Sequence, residues 1–199
     1  MLKKLLVFGI GGYAMKKAIE AVNFIKDVYP KMKDLDSKLE GNNKQVFEQS
    51  VKIFGRELIN NYGWNIAWAD RFTDLELMET NSMMAAGGNI DLARAMTLAI
   101  ANPETKTIKM SGENFGLILK FIPEIFRKLY IATTVAHECR HAHQAEWLRE
   151  KVGTNGMIET FMKINSTMTY KDNILEVDAR YYEYHLSGPS FAEVFKGYI

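Results

Sequence analysis

Apolar residues recur at helical intervals between Gln45 and Tyr62, where Phe47, Val51, Phe54 and Leu58 form one stripe. Steps of three and four residues bring these side chains to one face, which predicts an amphipathic helix stopped by Gly63. The period then changes to two. Trp64, Ile66 and Trp68 alternate with Asn65, Ala67 and Ala69, the pattern of a strand with one buried face. Upstream, Lys31 to Asn43 is polar and predicts a turn near Gly41.

Downstream, Leu75 to Ala86 is Met-rich and ambiguous in period, and it ends at Gly87 and Gly88. Ile90, Leu92, Met96, Leu98 and Ile100 fall on alternate positions, broken by Arg94. Alanines in this stretch would also allow helix, but strand is the expectation, because Asn102-Pro103-Glu104 reads as a turn into a second strand, Lys106 to Ser111. Glu113 to Ile122 predicts a helix that Pro123 interrupts or restarts, and a further helix runs to about Lys151, before Gly153. Asn173 to His185 reads as a last helix, ended by Gly188 and Pro189.

The first residues, Met1 to Ala14, combine two lysines with a short apolar run and with Gly12 and Ala14 spaced as at a signal-peptidase site. That run is far shorter than the ~20 residues that span a bilayer. Two readings stand: an export signal, or an amphipathic helix with Lys3, Lys4, Lys16 and Lys17 at its polar edges, docked on the domain, a partner or a membrane surface. Docking on the domain is preferred, since exposing Leu2, Leu5, Leu6 and Phe8 would leave an unusual apolar patch. The expected division is residues 1–29 as this anchoring helix and 30–199 as one domain.

Composition narrows the class without changing it. With 199 residues, 47% hydrophobic and 25% charged, the chain suits one globular domain with its own core. A net charge of +1 gives no argument for nucleic acid, and none is expected as a partner. The single cysteine, Cys139, rules out an intramolecular disulfide, which fits a cytoplasmic location. Nothing in the sequence specifies an oligomeric state.

The chemistry lies in His137 to His141, which reads His-Glu-Cys-Arg-His. Tyr130 to Trp147 has no Gly or Pro and several helix-favouring alanines, so this stretch is expected to be helical. Residues four apart share a helix face, so His137 and His141 can offer two imidazoles to one ion. This is the HExxH pattern of zinc hydrolases, in which the Glu serves as base toward a water at the metal. Glu138 would take that role and return the proton to the leaving group. Cys139 points away from the pair and reads as a small apolar filler.

A third protein ligand is needed. His143 is only two residues from His141 and faces elsewhere. The longer metzincin motif would need glycine at position 144 and histidine at 147, where this chain has Gln144 and Trp147. The better source is the Asn173–His185 helix. Glu176 is the expected ligand, sharing a face with the small Ala179, which would let the two helices approach. Asp178, Glu183 and His185 are alternatives, and Asn173 with Glu176 also matches a capping box that would draw the Glu away. Gln144, Asp178 and Tyr182 are candidates for supporting a ligand or touching substrate, with Tyr181 and Tyr184 as further phenols near the site.

His137 to Gln144 together with Glu176 to Ala179 resembles the gluzincin-like zincin metallopeptidases, where HExxH is completed by a Glu on a later helix. The resemblance covers a small part of the chain. It implies a mainly helical α+β zincin-like domain with a small sheet before the metal-binding helix, a Zn2+ cofactor and a peptide or protein substrate. It also implies an edge strand against which the peptide lies, here Lys106 to Ser111, against the plainer reading of an internal strand. The alternative to a peptidase is a non-catalytic zincin-like structural or partner-binding protein, such as a phage or mobile-element component, that retains the metal site.

Overall fold

The computed structural model describes residues 24–78, 87–169 and 172–199. The expected anchoring helix therefore lies, up to residue 23, outside the described residues. From Phe24 to Val28 the chain forms a π-helical turn that runs straight into α1 (Tyr29–Asp36). Helix thus continues through position 29, and Val28 and Leu35 are buried.

The Gln45–Tyr62 stripe forms two helices rather than one, α2 (Asn43–Phe54) and α3 (Arg56–Tyr62). Asn42 caps α2 through a capping box with Gln45. The chain breaks at Gly55, where a Cβ would sit 2.5 Å from the side chain of Ile66. Gly55 thus abuts the following strand, a contact that periodicity does not report. Gly63, with φ of 73°, ends α3 in the left-handed conformation as expected.

Next come β1 (Asn65–Ala69) and the short α4 (Asp74–Met78). The strand expected over Ile90–Ile100 is instead α5 (Ile90–Met96) followed by β2 (Ala99–Asn102). Asn89 caps α5 by accepting from Leu92 N, and Ala93 rather than Leu92 is the buried residue, so the apparent alternation does not mark an inner face.

β3 (Thr107–Ser111) is parallel to β1 and antiparallel to β2, giving the order β1-β3-β2. Of the two readings for residues 106–111, the internal strand holds and the edge implied by the resemblance does not. Both sides of β3 are occupied, and β2 is the edge beside the site. The strand order follows from the tight β2–β3 hairpin inserting β3 between β2 and the earlier β1.

After α6 (Gly112–Ile118), Pro123 precedes α7 (Glu124–Thr167). Gly153, at φ 75° and ψ 174°, breaks α7 into helical segments 124–152 and 154–167. That conformation is open to glycine and strained for any other residue. α8 (Ile174–His185) and α9 (Phe191–Val194) complete the chain. The class is α+β and mainly helical, with a small sheet ahead of the motif helix, as the sequence led one to expect. Among the described residues no helix is long and apolar enough to cross a membrane.

One side of α7, carrying Ile131, Val135, Cys139 and Ala142, joins Ile108 and Met110 of β3 and Phe47 of α2 in the core. His137 and His141 lie on another side, in line with Gln144 and Leu148. A buried polar cluster fixes the hairpin against this helix. Trp64 Nε1 donates to Glu146 Oε1 at 2.6 Å, Lys106 Nζ lies 3.3 Å from the same oxygen, and Arg149 also pairs with it. Arg149 Nη2 donates in turn to the Pro103 carbonyl at 2.7 Å, which anchors the turn before β3. The edge strand is thereby held beside the motif helix.

Candidate metal centre

α7 and α8 pack closely, with Ala179 fully buried between them. Ala179 has only a methyl to place in the contact, so Glu176, one turn earlier, reaches the motif face. His137, His141 and Glu176 converge, each offering one ligand atom, all within 4.8 Å of one another. The two Nε2 atoms are 3.1 Å apart, Glu176 Oε2 lies 3.6 Å from His137 Nε2, and Glu176 Oε1 lies 3.5 Å from His141 Nε2.

Two supports fix which nitrogens face the centre. Glu183 Oε2 is 3.2 Å from His137 Nδ1. A carboxylate only accepts, so the proton is on Nδ1 and the Nε2 lone pair faces inward. Gln144 Nε2 donates to the Leu175 carbonyl at 3.1 Å and to Asp178 Oδ2 at 2.7 Å, which fixes the orientation of its amide. Gln144 Oε1 therefore accepts from His141 Nδ1 at 3.0 Å, and His141 Nε2 also faces inward.

Two inward lone pairs 3.1 Å apart repel unless a proton or a cation lies between them. Burial favours the neutral imidazole of His137, but hydrogen bonds to Glu176 and Glu183 and the charge of Glu138 outweigh it and raise its pKa to about 10. A divalent cation can replace that proton. Two imidazoles and a carboxylate are a zinc-type donor set, and bonds of about 2.0–2.1 Å in tetrahedral geometry imply ligand separations of about 3.3 Å. The 3.1 Å between the two Nε2 atoms fits that spacing, and each Glu176 oxygen faces one of the histidines at 3.5–3.6 Å. The carboxylates of Glu138, Glu176 and Glu183 supply the negative potential a dication needs.

Glu138 lines the same cleft as the three clustered residues. Burial, the dominant cause, raises its pKa, with Glu176 and Glu183 adding to this and the two histidines opposing it. The cleft measures about 1130 Å³ and runs between the β2 edge and the 154–167 segment, with Ile100, Ile158 and Phe161 among its apolar walls. Tyr130 and Thr134 also line it, two turns and one turn before the motif respectively.

The other candidates are placed as follows. Asn173 caps α8 through Leu175 N at 3.0 Å, while Glu176 points to the histidines, so the capping-box reading does not hold. Asp178 is buried and bound by Arg140 Nε at 2.8 Å and Nη2 at 2.9 Å, outside the cluster. It supports His141 through Gln144. Tyr182 does not line the cleft; its ring packs 5.2 Å from the Arg140 guanidinium. His185 stacks on Tyr181, 4.2 Å between centroids, and also stays outside the cluster. Cys139 is buried, which pushes its thiol pKa far up and suits a filler.

The sequence reading missed two roles. Glu183 appeared only as an alternative ligand, yet it orients His137, and its seven-residue spacing from Glu176 marks the same helix face two turns on. Arg140, inside the motif, holds Asp178 and also donates to the Pro189 carbonyl at 2.8 Å, where a Cβ on Gly188 would come within 2.9 Å of Nη2. No spacing rule points to that contact. No family model, curated protein or solved structure matches this chain.

Proposed function

We propose that this protein is a zinc-dependent hydrolase of peptide bonds, with His137, His141 and Glu176 as metal ligands and Glu138 as general base. The observation that carries the reading is the convergence of two Nε2 atoms and one carboxylate, with both Nδ1 atoms tied back by Glu183 and Gln144. A bound zinc ion would lower the pKa of a water to about 7 and polarise a substrate carbonyl. Glu138, which lines the same cleft, accepts the proton of the attacking water and passes it to the departing amide nitrogen.

Three protein ligands, rather than four, favour catalysis over a purely structural ion. Glu183 is engaged with the outer nitrogen of His137 and does not add a fourth. Among the described residues one side of β2 beside the cleft is unpaired, which supports a peptide substrate, since an extended chain can bond to Ala99–Asn102 as an added strand while its side chains meet Ile158 and Phe161. Elemental analysis of the purified protein is the direct test. About one equivalent of zinc is expected, lost in His141→Ala. A wild-type protein that takes up no zinc from metal-buffered solution would overturn the reading.

A further inference from the structure

The helical segment 154–167 turns one face to the metal-site cleft. Ile158, Phe161 and Asn165, spaced by three and four residues, all line it. Met157 and Ile164 are fully buried in the core and hold this wall in place.

Asn165 is exposed, yet its carboxamide has a fixed orientation. Asn173 Oδ1 accepts from Leu175 N at 3.0 Å, so Asn173 Nδ2 is the donor that reaches Asn165 Oδ1 at 2.7 Å. Asn173 is itself buried. The Asn165 oxygen is thus engaged, and its two N–H donors point away from Asn173. Among the described residues no group accepts from them. This amide also lies close to the metal centre. Asn173 caps α8, and Glu176 follows it by three residues, about 4.5 Å along the helix axis.

An extended peptide laid along β2 satisfies the hydrogen-bonding groups of one of its edges. The other edge carries N–H and C=O groups that need partners once the cleft takes them from water. Across the cleft, Ile158 and Phe161 have no hydrogen bond to offer, whereas Asn165 has donors and an occupied acceptor. A carbonyl is therefore the group it can take. Resting on the peptidase reading above, we propose that Asn165 is a substrate-binding residue, whose Nδ2 donates to a main-chain carbonyl on the peptide edge facing away from β2. Such a bond is blind to the substrate's side chains and favours an extended polypeptide over a small amide. It holds ground state and transition state alike, so it acts on KM rather than on kcat.

Asn165→Asp and Asn165→Leu separate this role from that of a brace between the wall and α8. Both lack the donor. Asp keeps an acceptor for Asn173 and adds a charge, while Leu does neither. The full chain, loaded with zinc, is assayed on a fluorogenic peptide selected from a mixed-sequence library by wild-type cleavage. Both variants should raise KM about 2–10-fold, the worth of one hydrogen bond, with kcat close to wild type. A second readout needs no turnover. In Glu138→Gln, the Asn165 side-chain amide resonance, assigned by its loss in the double variant with Asn165→Leu, should move downfield when the same peptide is added. A KM rise in Asn165→Asp alone would trace to charge, and one in Asn165→Leu alone to the lost bond with Asn173. Either result overturns the proposal, as does an amide resonance that does not move. A wild type that holds zinc but cleaves nothing in the library removes the peptidase reading and this proposal together. Cleavage with KM unchanged in both variants removes this proposal alone.

Discussion

Gln144 bridges His141 to Asp178: its amide nitrogen donates to Asp178 Oδ2 at 2.7 Å and its carbonyl oxygen accepts from His141 Nδ1 at 3.0 Å. The ring orientation of one metal-site histidine is thus set by a buried carboxylate that never enters the cluster. Gln144→Leu should leave the fold intact and weaken zinc affinity by about 10–100-fold, measured by competition with a chromophoric chelator. Asp178→Asn should act differently, because it also strands Arg140. Breaking a buried ion pair costs about 3–5 kcal/mol, so its urea midpoint should fall as well. Unchanged zinc affinity in Gln144→Leu would show that the bridge does not position His141.

Glu176 and Glu183 share one face of α8 but should behave unequally. Glu176→Ala removes a ligand, and zinc should be absent after ordinary purification. Glu183→Gln still accepts from His137 Nδ1 and loses only charge, so zinc should remain, bound about 10-fold or more less tightly. Equal zinc loss in both variants would instead make Glu183 a ligand.

The motif and most of the elements around it were legible because their signals are local. Helical spacing joined His137 to His141, and alternation of Trp64, Ile66 and Trp68 marked β1. What was not legible depends on contacts between distant segments. Gly55, where the helix splits, abuts Ile66 of the next strand, and the central place of β3 answers to β1, which no local period encodes. α5 was misread because Leu92 and Ile90 mimic alternation, although Asn89 ahead of them is a helix cap. The choice of Glu176 over Asp178 turns on Arg140, whose side chain claims the second carboxylate.

Ala179 is expected to be the most size-sensitive position of α8. It is fully buried between α7 and α8, where extra methylenes force the helices apart. Ala179→Leu should cost about 1–3 kcal/mol and separate Glu176 from the histidines, so zinc affinity should fall with stability. Ala179→Gly, which adds no volume, should lower stability while leaving zinc binding close to wild type.

Glu146 should give the fold a dependence on acid. Burial works against its charge, but hydrogen bonds from Arg149 and Trp64, with Lys106 nearby, prevail and hold its pKa below the usual carboxylate range. A lowered folded-state pKa contributes stability that is complete above the ordinary carboxylate value and is lost as pH falls through the depressed one. Glu146→Gln should therefore be less stable than wild type at neutral pH, by about 1.5–3 kcal/mol for a charged hydrogen-bond network. That gap should narrow as the pH drops below the ordinary carboxylate range. Urea denaturation of both proteins across acidic to neutral pH checks this; a gap that widens in acid would contradict it.

Glu138 separates a hydrolase from a scaffold that merely keeps its metal. It lines the cleft with the three clustered residues but is not one of them, so Glu138→Gln should retain fold and zinc while losing the proton acceptor. A general base contributes about 10²–10⁴-fold in rate, and turnover of a cleaved peptide should fall by that factor at unchanged zinc content. His137→Ala should instead lose zinc and turnover together. Turnover by Glu138→Gln close to wild type, with zinc bound, would remove Glu138 from the mechanism.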